Sequence, residues 1–195
     1  MSMRVILVFF FMATLALAQD NVSVLDTKGN PLKRGEEYYI KPAITDNGGR
    51  FTLINRNNTC PLDVGLENTD LPDGYPVTFT PFAMEDDVVK INRDFKVSFS
   101  VFTICAQSTE WRVGQNDTSI GRRFITTGQD GSREWGNYFK IVETQLEGIY
   151  NIGWCPTEVC PTCRFICGTA GAFTENGKIL LALDGSVLPV EFHKK

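Results

Sequence analysis

The chain is 195 residues long, 43% hydrophobic and 22% charged, with a formal net charge of −4 and one histidine. That length suffices for one domain with a real hydrophobic core, and the acidic balance offers nothing to nucleic acid or an anionic membrane. The sole histidine, His193, lies in the polar C-terminal run Glu191-Phe192-His193-Lys194-Lys195 and leaves Ser-His-Asp or Cys-His catalysis almost no support, so no enzyme is expected.

The N-terminus reads as a targeting segment. Arg4 supplies a positive n-region, residues 5–17 form an apolar run too short to span a bilayer, and Ala16-Leu17-Ala18 is a small-residue cleavage site. A signal peptide over 1–18 is therefore expected, with one mature domain over 19–195 exported through the secretory pathway to the extracellular space, apoplast or vacuole. Three sequons, at Asn21, Asn57 and Asn116, fit that compartment, and one or two are expected to carry glycans.

Beyond the leader, short β-prone runs recur at 22–25, 38–41, 51–54, 77–80, 88–91, 95–102, 111–113, 124–126, 138–142, 149–154, 179–183 and 187–192. The cleanest is Phe95-Lys96-Val97-Ser98-Phe99, with apolar residues at every second position. Gly-rich turns separate the runs, among them Asn47-Gly48-Gly49, Asp73-Gly74, Asn176-Gly177 and Asp184-Gly185. No window sustains a helical period, so the pattern predicts an all-β sandwich or closed barrel. Tyr39-Ile40-Lys41, Phe95-Lys96-Val97 and Phe139-Lys140-Ile141 hint at three related thirds.

One stretch breaks the rule that loops are polar. Val77-Thr78-Phe79-Thr80 alternates as a half-buried strand, Pro81 stops its pairing, and Phe82-Ala83-Met84 follows before the β-branched run resumes at Val88. Cys60 and Cys105 bracket this segment, and a crosslink between them contributes about 4 kcal/mol by restricting the unfolded chain. A rigid loop offering apolar side chains to solvent is a binding element; the competing reading folds Phe82 and Met84 back onto the body.

Six cysteines in an exported chain predict three disulfides, with fifteen pairings open. Cys155-x4-Cys160-x2-Cys163-x3-Cys167 has spacings that suit an iron-sulfur cluster or zinc, and Cys160-Pro161-Thr162-Cys163 resembles a redox pair, but secretion argues against all three. No metal and no cofactor are expected. Trp111, Trp135 and Trp154 read as core or barrel-cap residues, and acid pairs such as Glu36-Glu37 and Asp86-Asp87 as solvated turns.

The order Val24-Leu25-Asp26-Thr27-Lys28-Gly29-Asn30-Pro31-Leu32, Tyr38-Tyr39-Ile40, Cys60-Pro61-Leu62, Thr109-Glu110-Trp111, Tyr138-Phe139-Lys140-Ile141, Trp154-Cys155-Pro156 and Leu188-Pro189-Val190-Glu191-Phe192 resembles the soybean-trypsin-inhibitor, or plant Kunitz, family. Pro81 with Asp87-Val88-Val89, and the cysteine-rich 155–167 stretch, resemble its miraculin-like branch. The resemblance implies a disulfide-stabilised β-trefoil of twelve strands in three pseudo-repeats, with Cys60 joined to Cys105, Cys155 to Cys167 and Cys160 to Cys163; the even cysteine count, with none left for an interchain link, predicts a monomer. It also implies a secreted inhibitor, in plant defence, of a serine protease, with a cysteine protease as the alternative target, acting through loop 79–88 with Pro81, Phe82, Ala83, Met84 and Glu85 as the reactive segment. Where trypsin inhibitors of the family carry Arg or Lys, this chain has Ala83, so apolar specificity is expected; where they brace the loop with an asparagine, it has Arg34.

The runner-up is a non-inhibitory miraculin-like protein for storage or small-ligand binding. Two special cases of it fit poorly. The taste-modifying relative relies on histidine where this chain has Asn47, and the pigment-binding relatives carry Cys-Pro-Leu-Gly where Cys60-Pro61-Leu62 is followed by Asp63.

Overall fold

The structure, a computed structural model, describes residues 22–44, 49–67, 72–129, 131 and 133–195. The expected leader, the Asn21 sequon and Asn47 lie outside the described residues. Each third of the chain builds a strand, a hairpin and a second strand. The first third is β1 (Glu37–Pro42), β2 (Arg50–Ile54), β3 (Asp63–Glu67) and β4 (Val77–Pro81). The second is β5 (Phe95–Phe99), β6 (Trp111–Asp117), β7 (Arg122–Thr127) and β8 (Lys140–Glu143). The last is β9 (Tyr150–Trp154), β10 (Gly168–Glu175), β11 (Lys178–Leu183), a two-residue β12 (Ser186–Val187) against β10, and β13 (Val190–Lys194).

The outer strands of each third close a ring. β1 pairs with β4 and β13, β4 with β5, β13 with β9 and β9 with β8. A bridge between Phe95 and Phe139 joins β5 to the start of β8 and completes it. The three hairpins, β2–β3, β6–β7 and β10–β11, meet one another through β3–β7, β3–β11 and β7–β11 and cap one end.

Ring strands are half-buried, so their sequences alternate: Phe95, Val97 and Phe99 are buried while Lys96 and Ser98 are less so. Phe79 meets Phe95, Phe192 and Tyr38 at ring separations of 5.5, 5.6 and 6.0 Å, one partner from each of three neighbouring or facing strands. Trp111, fully buried, stacks on Phe51 and packs on Phe99 and Phe139, tying the cap to the ring.

Cap strands obey a different rule because both faces are covered. Leu181 and Leu183 of β11 enter the main core, and Leu180 and Ala182 join Ile54 and Phe124 in a smaller one. Arg56, Asp117 and Glu175 close the far side, one from each hairpin. Arg56 donates to Glu175 at 2.5 and 2.7 Å and to Asp117 at 3.1 Å, and lies 4.1 Å over the Phe124 ring.

Several expectations are corrected. β3 and β10 were absent from the predicted runs because their glycines lower β propensity. A Cβ on Gly65 would collide with the Ile179 carbonyl and the Ile54 side chain, and one on Gly171 would lie 2.5 Å from the Ser186 carbonyl. Residues 22–25 and 88–91 form isolated bridges instead of full ladders, Ser23 with Lys90 joining the two runs and Lys33 pairing with Val88. Phe139-Lys140-Ile141 lies at β8, so the third unit begins with Tyr150-Asn151-Ile152 of β9. The expected polar tail is β13, where His193 pairs with Glu191 at 2.6 Å. Neither acid pair is simply solvated: Asp86 is buried and ion-paired with Lys90, while Lys194 and Lys195 hold Glu36 and Glu37 below the usual carboxylate range.

Asp63 generates a pH prediction. Burial pushes its carboxyl up to about 6, with Arg56 pulling the other way, from 3.8 in the unfolded chain. The folded state thus binds this proton more tightly, and the stability it contributes is full below pH 3.8 and lost as pH rises through about 6. Asp63→Asn, which removes the titration, should be more stable than wild type at pH 7.5 by roughly 3 kcal/mol at most, with the gain shrinking toward pH 4. Denaturant melts at the two pH values check this; an equal gain at both would contradict it.

Candidate functional site

β4 delivers the chain into the apolar loop. Pro81 is buried at its end, and the next residue is tied down when the Phe82 N–H donates to the Asp94 carbonyl at 2.8 Å. Residues 83–86 then form a turn, closed by the Asp86 N–H donating to the Ala83 carbonyl at 3.1 Å. Met84 and Glu85 occupy its corners, and Met84 is 90% exposed. On the return, Arg34 N–H donates to the Asp87 carbonyl at 2.8 Å and Gly35 N–H to the Phe79 carbonyl at 3.0 Å, so residues 33–35 lie across both arms. Gly35 sits at φ +71°, a left-handed conformation that favours glycine.

Arg34 fills the space between the arms. Its Nη2 donates to the carbonyls of Ala83 at 2.8 Å, Pro81 at 3.3 Å and Met84 at 3.5 Å, and its Nε donates to that of Asp86 at 3.1 Å. A guanidinium has five fixed N–H donors and no acceptor, which suits a ring of inward carbonyls; an amide has two donors and a shorter reach. Asp86 reinforces the outer arm through Lys90 Nζ at 2.5 Å.

Phe82, Ala83 and Met84, the apolar residues of the expected reactive segment, thus differ. Phe82 leans edge-on against Tyr138 at 5.5 Å and is 40% exposed. Ala83 is half-buried with its carbonyl taken by two donors. Met84 projects from the corner, with Glu85 exposed beside it.

One disulfide region supports the loop's base, the nested pair within 155–167. Cys60 is bonded to Cys105, Cys155 to Cys167 and Cys160 to Cys163, the same pairs that the resemblance implies, and no described cysteine is free. The nested pair presents Glu158 to Asp94: the Asp94 carboxylate accepts from the Glu158 and Val159 N–H groups at 2.8 and 3.2 Å, and Glu158 Oε2 accepts from Asp94 N–H at 2.7 Å. Burial pushes the Asp94 carboxyl up, against Lys140 3.4 Å away and those two N–H donors. Asp94 and Tyr138 carry the loop yet gave no sequence signal, because one acts through its backbone and the other through a ring far away in sequence.

Asn57 and Asn116 are exposed. Trp111 and Trp154 are core and Trp135 packs against it, as expected; Trp135 and Trp154 also line a cleft of about 550 Å³ with Arg112, Arg123 and Arg133. There the Arg123 guanidinium lies 4.9 Å over the Trp154 ring, and the buried Trp154 indole N–H has no acceptor among the described residues.

Comparison with known proteins gives a consistent result. The legume Kunitz family model, described as trypsin and protease inhibitor, matches residues 24–194. Kunitz type trypsin inhibitor 106 of Medicago truncatula is 54% identical over 192 residues, spanning 96% of this chain and 93% of its own. Miraculin of Synsepalum dulcificum is 33% identical over 207 residues, spanning 95% of this chain and 94% of its own. Alocasin, a protease inhibitor of giant taro (Arum macrorrhizon), has a solved structure that matches with TM-score 0.76 and 32% identity over 90% of this chain and all of that one. The ring and three-hairpin cap are a β-trefoil.

Removing the guanidinium should free the loop and little else. Arg34→Ala is expected to raise the rate of nicking within 81–86 by thermolysin at least about tenfold, since hydrogen bonds from a charged donor contribute about 1.5–3 kcal/mol, with only a small change in Tm. Arg34→Lys should not restore resistance, because an ammonium lacks the planar fork. Mapping the cuts by mass checks this; equal nicking in wild type and Arg34→Ala would contradict it.

Proposed function

The chain belongs to the Kunitz family of trypsin and protease inhibitors, and from that premise we propose that it blocks a serine protease through loop 79–88, with Met84 entering an apolar specificity pocket. The family inhibits proteases and is not a family of enzymes. The observation that carries the proposal is Met84, 90% exposed at the corner of a turn whose inner carbonyls are held by Arg34.

An inhibitor that binds as a substrate must offer one side chain outward and leave the adjoining carbonyl open to the enzyme's oxyanion donors. Ala83, the residue favoured by alignment on Pro81, meets neither need, because its side chain is small and its carbonyl is bonded inward to Arg34 and Asp86. Met84 meets both better: its carbonyl takes only a 3.5 Å contact at the exposed edge. Preorganisation by Arg34, Asp94 and the nested disulfides lowers the entropy lost on docking. No cation stands in Pro81-Phe82-Ala83-Met84-Glu85, so a trypsin pocket aspartate would go unpaired, a loss of about 1.5–3 kcal/mol or roughly tenfold to a hundredfold in affinity. The trypsin named for the Medicago relative is for that reason not carried over. We further propose export, which the leader-like 1–18 and the exposed Asn57 and Asn116 support, and a monomer, which the pairing of all six cysteines within the chain supports.

The second reading, a non-inhibitory protein that holds a small ligand, is favoured by the arginine- and tryptophan-lined cleft. It would leave the protease panel silent while anionic aromatic compounds raise Tm.

Titration against chymotrypsin, elastase, subtilisin and trypsin decides. Chymotrypsin- or subtilisin-like enzymes should be inhibited at least tenfold better than trypsin, and Met84→Arg should gain about tenfold to a hundredfold against trypsin where Ala83→Arg gains little. If wild type at micromolar concentration inhibits none of the four, and neither arginine variant gains against trypsin, the loop is not a reactive site.

A further inference from the structure

The β6–β7 hairpin carries an irregularity that loop 79–88 does not use. Val113 pairs with Ile125 and Asn116 with Arg123, so β6 holds one residue more than β7 between the two pairs and bulges there. Ile125 is buried in the main core and Val113 packs against it, so this face of the hairpin points inward. Arg123, two residues from Ile125, lies on the same face. A strict period of two would set Gln115 opposite Arg123; the bulge sets Asn116 there, and residues directly opposite share a face.

That face leads from the core into the cleft of about 550 Å³, which Asn116 itself lines. Trp135 lines it too, backed by Trp154 at 5.8 Å and Phe165 at 5.2 Å, while Arg123 lies over the Trp154 ring and donates to the Ile166 carbonyl at 2.7 Å. Gly136 gives the cleft no side chain, although a Cβ there would meet nothing nearer than 3.7 Å, so packing does not demand the glycine. Among the described residues no Asp or Glu lines the cleft. Asn116 and Thr118 are exposed, which leaves the sequon Asn116-Asp117-Thr118 open to a glycosyl transferase.

We infer that Asn116 is glycosylated and that the innermost sugars of its glycan fill this cleft, with a sugar face against Trp135 and sugar hydroxyls and the N-acetyl carbonyl accepting from the Arg123 guanidinium. The inference rests on the export proposed above, because the transfer takes place in the secretory pathway. In that transfer the Asn116 side-chain nitrogen bonds to C1 of the innermost N-acetylglucosamine and gives up a proton, while the bond from C1 to a lipid diphosphate carrier breaks and the diphosphate leaves with the electron pair. The apolar side of a sugar ring suits an indole, and its acceptors suit a group with five N–H donors. A tether of one side chain gives these sugars a high effective concentration at the cleft, which a free compound lacks. Asn57, also exposed, does not line the cleft, so a glycan there has no such seat.

The test secretes the chain from a eukaryotic host, once behind its own residues 1–18 and once behind a host leader. Retention of the first inside the cell with secretion of the second refutes the export reading, and the second still tests the glycan. Intact mass should show Asn116 occupied. Asn116→Gln and Thr118→Ala should each lower Tm by about 2–4 °C, and Asn57→Gln should not. In a Trp135→Ala background Asn116→Gln should cost nothing further. If Trp135→Ala does not fold, acrylamide quenching of tryptophan fluorescence decides, and should rise in Asn116→Gln and not in Asn57→Gln. Secreted protein with Asn116 bare, or a glycan whose loss changes neither Tm nor quenching, overturns the inference. So does an anionic aromatic probe, 2-naphthoate, that raises Tm equally in wild type and Asn116→Gln, since the cleft would then be open to a free ligand.

Discussion

Phe79 stands where the core and the candidate loop meet. Its ring, 1% exposed, contacts Tyr38, Phe95 and Phe192, so it joins β4 to the strands beside and across the ring. Its carbonyl accepts the Gly35 N–H, which fixes the turn that carries Arg34. A side chain buried for hydrophobic reasons therefore sets where a guanidinium enters the loop two residues further on. The loop's shape is in this sense a property of the barrel, with Asp94 and the nested cystines holding the opposite side.

How far the sequence reveals this depends on what covers each strand. β4 and β5 alternate because one face is buried, and both are legible. β11, Lys-Ile-Leu-Leu-Ala-Leu, lies between two apolar clusters and loses its period, though its hydrophobicity still marks it. β3 and β10 are illegible for the opposite reason: Gly65 and Gly171 are there so that backbones can touch, and that necessity looks like weak strand propensity. The candidate site divides the same way. An apolar 82–84 flanked by Pro81 stands out locally, whereas the 52-residue separation of Arg34 from Asp86 conceals which carbonyls the guanidinium reaches.

Charge placement follows the same architecture. Arg56, Asp117 and Glu175 bring one residue from each hairpin to the end of the cap, where partial burial makes their hydrogen bonds stronger than those of an exposed pair. Asp63 lies beneath them without a full share in that compensation, which is why its carboxyl titrates high. The cap is thus stabilised by its neighbours at the expense of one strained ionisation, a trade far from the loop and separable from it by mutation.

The most direct measurement of the central claim is the site of slow cleavage by an inhibited enzyme. Prolonged incubation with chymotrypsin at mildly acid pH, followed by mass spectrometry and N-terminal sequencing, should show the gain of one water and a new N-terminus at Glu85. The pieces should stay joined through Cys60–Cys105, which brackets the bond. A cut after Phe82 or Ala83, or an untouched loop under an enzyme that the protein demonstrably inhibits, would contradict the account.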